Sequence, residues 1–231
     1  MFEEIKKAVC TGNKKLKELG LVIQTWGNLS AIDPQTGYVA IKPSGVSYDT
    51  MTYDDIVVLD LEGRKIEGDL NPSSDTETHL ELYRNYSSIK SIIHTHSKYA
   101  TVFAQAGKAI ECLGTTHADY FYGSVPCIPE LSTSQIQRDY ELNTGVAIVN
   151  YFKDNSISPS EMPACIVKGH GPFVWGQSVD SALLNAEVLE AVAHMNLLTY
   201  ELNPSCMALK NELLDKHFLR KHGKNAYYGQ S

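Results

Sequence analysis

His94-Thr95-His96 closes a short apolar run formed by Ile89, Ile92 and Ile93. Strand side chains alternate between faces, so two imidazoles in His-x-His point the same way, about 6.6 Å apart along the backbone. Such a pair can converge on one divalent ion at ~2.0–2.1 Å from each nitrogen. Without a third ligand, the pair reads equally well as polar residues satisfied by water or backbone at a strand end. A third imidazole is available in Lys168-Gly169-His170-Gly171-Pro172, directly after the compact apolar run Ala164-Cys165-Ile166-Val167. A histidine between two glycines at a strand end has room around it and no helix to join. His94, His96 and His170 form a zinc-competent set that leaves one coordination position open.

Two further stretches carry chemistry of a different kind. Lys42-Pro43-Ser44-Gly45 offers an ammonium, a hydroxyl and a glycine whose backbone can approach a ligand, which are parts of a phosphate cradle. The same residues also make an ordinary turn. Pro72-Ser73-Ser74-Asp75-Thr76-Glu77 precedes a helical pattern of Leu80, Leu82 and Tyr83, and Ser74-x-x-Glu77 has capping-box spacing. The first turn of that helix, with two hydroxyls, is a second place for an anion, although capping alone needs none. Asp75 reads as a helix-dipole partner or an oxygen ligand. Residues 114–123 show neither helical nor strand period, as expected of a functional loop over a cleft. Within them Asp119 stands beside three aromatics, which predicts either a raised pKa suited to proton transfer or a turn cap.

The elements that must position these groups follow from periodicity and punctuation. Residues 3–19 predict a helix closed by Gly20, and residues 21–26 a strand. Residues 29–33 and 38–42 predict a hairpin about Pro34-Gln35-Thr36-Gly37, and residues 56–61 and 64–67 another about Glu62-Gly63. Ser97 is placed to cap a helix carrying Tyr99, Val102 and Phe103 and stopped by Gly107. Residues 134–154 read as one helix with Glu141 between two apolar patches. Residues 178–202 form the longest helix, whose apolar stripe is core, and His194 upon it reads as packing. A last helix over 207–221 carries His217 and Arg220. The tail after it holds Tyr227 and Tyr228, which suits docking against another subunit.

Composition bounds the function. An apolar fraction of 43% over 231 residues predicts one core and a single domain spanning 1–231. A formal net charge of −7 argues against a general nucleic-acid binder, and the absence of an apolar run of about 18 residues argues against a membrane span. The N-terminus is charged and lacks the apolar core of a signal peptide. Five scattered cysteines without C-x-x-C fit reduced thiols in the cytoplasm.

Taken in order, Trp26-Gly27-Asn28-Leu29-Ser30, Lys42-Pro43-Ser44-Gly45, Pro72-Ser73-Ser74-Asp75, His94-Thr95-His96, the Gly114-to-Gly123 segment, His170-Gly171-Pro172 and the Tyr227-Tyr228-Gly229-Gln230 ending resemble the L-ribulose-5-phosphate 4-epimerases of the class II aldolase superfamily. The resemblance covers nearly the whole chain. It implies an α/β domain with a central, largely antiparallel sheet flanked by helices, assembled as a homotetramer with sites between subunits. By the same resemblance His94, His96 and His170 bind zinc, with manganese or cobalt as substitutes, and Asp75 is a neighbouring carboxylate ligand. Asn28, Lys42, Ser44, Gly45, Ser73 and Ser74 hold a sugar phosphate. Asp119 and Tyr228, the latter from an adjacent subunit, transfer protons, supported by Thr115, Glu141, His217 and Arg220. Related fuculose-phosphate aldolases carry Glu where this chain has Asp75, and the shorter acid favours the epimerase.

The implied chemistry is demanding. In a 2-ketopentose 5-phosphate C3–H is acidic but C4–H is not, so C4 cannot be inverted by simple proton abstraction. No G-x-G-x-x-G follows a strand to bind a nicotinamide. What is left is a retro-aldol opening of C3–C4, rotation of the aldehyde and re-addition, which needs a Lewis acid, a phosphate clamp and two proton-transfer groups. Three rivals stay open: a sugar-phosphate aldolase or dehydratase of the same superfamily, a barrel-type metal hydrolase, and a non-catalytic zinc-stabilised binding module. The chain is short for a barrel and opens with antiparallel hairpins.

Overall fold

The computed structural model describes residues 2–223 and 226–227. An eight-stranded sheet runs through the molecule in the order β4-β3-β2-β1-β5-β8-β7-β6. Its strands are β1 (Asn28–Ile32), β2 (Val39–Ile41), β3 (Val57–Leu59), β4 (Lys65–Glu67), β5 (Ser91–His94), β6 (Cys127–Ile128), β7 (Ala164–Val167) and β8 (Gly171–Gly176). Every pairing is antiparallel except β6 with β7. Among the described residues eight α-helices surround it: α1 (Glu3–Glu18), α2 (Thr76–Asn85), α3 (Lys98–Ala106), α4 (Thr115–Ala118), α5 (Thr133–Gln137), α6 (Tyr140–Asp154), α7 (Val179–Leu202) and α8 (Asn211–His222). The result is a single-domain α/β fold with a mostly antiparallel sheet flanked by helices, as expected. No described helix is long and apolar enough to cross a membrane.

Both predicted hairpins form, β1 with β2 and β3 with β4. They occur where short apolar runs, continuous and buried at every position in β2 and β3, meet turn residues. Helix α1 docks on β1 through buried Asn13, which donates to the Leu29 carbonyl at 3.0 Å and accepts from the Leu29 amide at 2.8 Å. Helix α2 reaches the same strand through Ser30, whose hydroxyl lies 2.7 Å from His79 Nδ1 and 2.9 Å from the Tyr83 hydroxyl. Helix α7 carries the expected core stripe, with Ala182, Leu183, Ala186, Leu189, Val192 and Ala193 buried.

Several expectations need correction. Residues 21–26 form no strand: Gln24 takes a left-handed conformation (φ 56°), and Ile23 and Trp26 are more than half exposed. The helix expected over 134–154 is two, because Asp139 is left-handed (φ 51°) and breaks α5 from α6. No capping box forms at Ser74, since α2 takes Asp75 as its N-cap residue and makes no side-chain cap bond. The segment 114–123 is not an open loop. It contains α4 and buries His117, Ala118 and Phe121.

Candidate active site

Strands β5 and β8 are neighbours in the sheet, with His94 opposite Phe173, and this register assembles the site. His94 ends β5, and His170 lies in the turn that feeds β8. His96 lies beyond the strand end, so the convergence of the pair does not come from strand alternation. Gly171 explains how the segments come so close. A Cβ there would meet the Thr95 carbonyl oxygen at 2.7 Å. That glycine serves backbone approach rather than room around His170, contrary to the expectation.

The imidazoles of His94, His96 and His170 each offer a nitrogen, and these atoms lie within 4.8 Å of one another. His94 Nε2 and His96 Nε2 are 3.1 Å apart. Two nitrogens sharing one tetrahedral ion at ~2.05 Å would stand about 3.3 Å apart, close to the spacing of this pair. His94 donates its Nδ1–H to the Pro172 carbonyl at 2.9 Å, which leaves Nε2 as the ligating lone pair. Phe173 stacks on the His94 ring, with centroids 4.3 Å apart and planes 19° from parallel. Burial pushes the His170 imidazole down to about 3, with His94 adding to the effect, and lowers that of His96 too. Both are therefore neutral at pH 7, the form that binds metal. The donor set fits a divalent ion.

A cavity of about 410 Å³ opens onto these rings, walled by Asn28, Lys42, Ser44, Gly45, Ser73, Ser74, Asp75, Glu141 and the three histidines among others. Burial works to raise the Asp75 carboxyl, but His94, His79, His170 and the Asn28 amide outweigh it and hold the group below the ordinary carboxylate range. Asn28 donates to Asp75 Oδ2 at 2.7 Å and to the Ser73 hydroxyl at 2.9 Å. Its own Oδ1 is buried without a partner, an acceptor ready for a ligand hydroxyl. The loops after β2 and before α2 are joined by a Pro43–Pro72 bridge, where the Ser44 amide donates to Asn71 and the Ser73 amide to Lys42.

Lys42 is almost wholly buried, and burial lowers its ammonium to about 8. It donates to the Pro43 carbonyl at 3.2 Å and lies 4.8 Å from the Tyr48 ring centroid. Neither partner is anionic, and no carboxylate among the described residues forms an ion pair with Lys42, so a buried cation faces this cavity without a direct counter-charge. A ligand phosphate would do so.

Thr115, Asp119, His217 and Arg220 do not wall this cavity. Asp119 sits where α4 meets α8, accepting from Arg220 at 2.9 and 3.0 Å, with His217 Nδ1 3.1 Å away. Burial opposes them, yet Arg220, His217 and Lys221 hold the Asp119 carboxyl below its ordinary range. The raised pKa expected from its aromatic neighbours is therefore corrected: the cations of α8 dominate. Tyr228 lies outside the described residues.

The sequence reading gave Tyr140 and Trp26 no role, yet both wall the cavity. Tyr140 opens α6 beside the left-handed Asp139, and its hydroxyl lies 3.2 Å from His170 Nδ1. Nothing in sequence marks it, since a tyrosine opening a helix is commonplace. Tyr140→Phe is expected to weaken zinc binding about tenfold, the low end for losing a partner that orients a ligating histidine. Competition against a chromophoric chelator measures it.

A sequence profile for the Class II Aldolase and Adducin N-terminal domain matches residues 7–197. The chain belongs to that family. Among solved structures it is similar to an L-fuculose 1-phosphate aldolase at 26% identity, covering 93% of this chain and 94% of that one with a TM-score of 0.78. It also resembles, at 19% identity and a TM-score of 0.76, the L-fuculose 1-phosphate aldolase from Glaciozyma antarctica, over 97% of this chain and 84% of that one. A third similar structure is the L-fuculose-1-phosphate aldolase from Thermus thermophilus, at 23% identity and a TM-score of 0.67, over 89% of this chain and all of that one. As a class II aldolase family member the chain has a clear metal-site candidate in His94, His96 and His170.

Proposed function

We propose that this class II aldolase family member is a metal-dependent epimerase interconverting L-ribulose 5-phosphate and D-xylulose 5-phosphate by opening and re-forming the C3–C4 bond. One observation supports it above the rest: three convergent imidazoles and an unbalanced buried ammonium share a single cavity. A bound divalent ion, zinc by preference and manganese or cobalt as alternatives, supplies Lewis-acid stabilisation of the charge that develops as the bond opens. His94, His96 and His170 would hold it, with Asp75 as the neighbouring carboxylate.

The chain's own groups divide the remaining work. Lys42 with Ser44, Gly45, Ser73 and Ser74 would retain the phosphate of the aldehyde fragment, so that rotation competes with escape. Asn28 Oδ1 would accept from a substrate hydroxyl, and Glu141 would support the opposite wall. Asp119 and Tyr228 would exchange protons at the C4 oxygen, one on each face of the aldehyde. The resemblance assigns only Tyr228 to an adjacent subunit, but Asp119 does not line its own chain's cavity, so in a homotetramer it too would serve a neighbouring subunit's site. His217, Arg220 and Thr115 would hold it there. Tyrosine titrates near 10 in water, so Tyr228 needs a cation beside it to act near neutrality. Exposed Leu184, Met195, Leu198 and Leu202, spaced along α7, suit burial between subunits. The five free cysteines suit a reducing cytoplasm.

The second reading, a sugar-phosphate aldolase, draws on the 26% identity to an L-fuculose 1-phosphate aldolase. Incubation with L-ribulose 5-phosphate separates the two. The epimerase yields D-xylulose 5-phosphate in a chelator-sensitive way with no free glycolaldehyde phosphate. Accumulation of that aldehyde instead would establish the aldolase.

A further inference from the structure

Helix α3 begins two residues after His96, and its first turn is held from a distance. Ser97 occupies the N-cap position but makes no side-chain cap bond. Instead the Tyr99 amide donates to Glu190 Oε1 at 2.8 Å, and the Ala100 amide to Glu190 Oε2 at 3.0 Å. These are the second and third amides of the helix, the ones an N-cap side chain ordinarily satisfies. Here one carboxylate from α7 takes both, and its charge also complements the positive end of the helix dipole. One turn further along α7, His194 stacks on Tyr99 with ring centroids 3.7 Å apart and planes 4° from parallel. Helix α7 therefore grips the first turn of α3 by backbone and by side chain.

That grip matters because of where His96 stands. Strand β5 ends at His94, so no strand pairing fixes the backbone of His96. Upstream, the Thr95 amide reaches the Pro172 carbonyl at 3.3 Å. Downstream, the chain enters the clamped turn of α3 at once. Position and direction of the His96 imidazole thus depend on a short connector tied at both ends, and Glu190 makes the second tie.

We propose that Glu190 is a positioning residue of the metal centre: by clamping the first turn of α3, it sets the approach of His96 to His94 and His170. This rests on the reading that the three imidazoles bind an ion. Glu190→Ala frees two helix amides and slackens the connector. Its zinc affinity should fall about tenfold, as for loss of an outer hydrogen-bond partner at a metal site. Glu190→Gln keeps one acceptor oxygen and the side-chain length, so it should fall between wild type and alanine.

The test measures zinc affinity by chelator competition and records the visible spectrum of the cobalt-substituted protein. Leu189→Ala, which opens a cavity in the buried stripe of the same helix, serves as the matched destabilised control. The expected result is weaker binding and altered cobalt bands in the two Glu190 variants, with Leu189→Ala less thermostable yet binding as wild type does. Should Glu190→Ala fail to fold, Glu190→Gln decides alone. Wild-type affinity and spectrum in the Glu190 variants would overturn the proposal, as would an equal loss of affinity in Leu189→Ala. Failure of the wild-type chain to bind one ion would instead overturn the metal reading itself.

Discussion

His170→Ala is expected to strip the protein of its ion and lower kcat by about 10³-fold or more, with folding intact. Two imidazoles and the Asp75 carboxylate would remain, and loss of one of the three nitrogen donors is expected to weaken binding enough for the ion to be lost on dialysis. Loss of Lewis-acid stabilisation, worth several kcal/mol, converts to three or more powers of ten in rate. The fold should survive because His170 occupies the turn between β7 and β8 rather than their paired ladder. The substitution also removes a half-buried imidazole whose pKa burial lowers to about 3. Metal content by mass spectrometry, turnover and melting temperature, taken together, check the result. Full turnover in a metal-free variant would refute the mechanism, and an unfolded variant would show the centre to be structural.

Lys42→Met is expected to raise KM for a sugar phosphate about 10- to 100-fold, the range for losing a charge-assisted hydrogen bond of about 1.5–3 kcal/mol. The pH dependence gives this prediction its signature. Burial lowers the Lys42 ammonium to about 8 in the folded chain, against an ordinary 10.5. Phosphate binding should therefore weaken in wild type as pH rises through about 8, while the methionine variant shows no such inflection. Stability moves the other way. Between about 8 and 10.5 the unfolded chain keeps a proton that the folded chain has released, so raising pH through that window favours the folded state. Below about 8 both states hold the proton and the burial cost is present in full. Urea unfolding of wild type at about pH 7 and about pH 9.5, with Lys42→Met as the flat reference, reads the difference.

Legibility in the sequence varies with how local each determinant is. The hairpins β1–β2 and β3–β4 are readable because short apolar runs and turn residues lie within a few positions of one another. The cluster of His94, His96 and His170 is readable because histidines beside short apolar runs are conspicuous by type. Strand β8 is not, since it is buried along its whole length and opens Gly-Pro, leaving neither alternation nor an ordinary start. Residues 21–26 look strand-like by type, but left-handed Gln24 turns the chain and leaves Ile23 and Trp26 exposed. The titration of Asp119 is set by α8, about a hundred residues further along the chain, rather than by the aromatics beside it. Ser97 has the right type for a cap, yet the bonds go to Glu190. Where the local signal misleads in these last two cases, a distant partner overrides it.

The pairing of His94 with Phe173 spans 79 residues of chain and is the contact on which the three imidazoles depend. Closing a loop of that length costs entropy before any native contact repays it, so strands β5 and β8 are expected to pair after the local hairpins. The ion has no assembled site in the unfolded chain or in early collapsed states. The binding energy of an ion at this site would therefore slow escape from the native state rather than speed arrival. An ion held there would act as a latch fastened after the sheet has closed, and its removal is expected to raise the unfolding rate while leaving the folding rate unchanged, which stopped-flow unfolding with and without chelator measures.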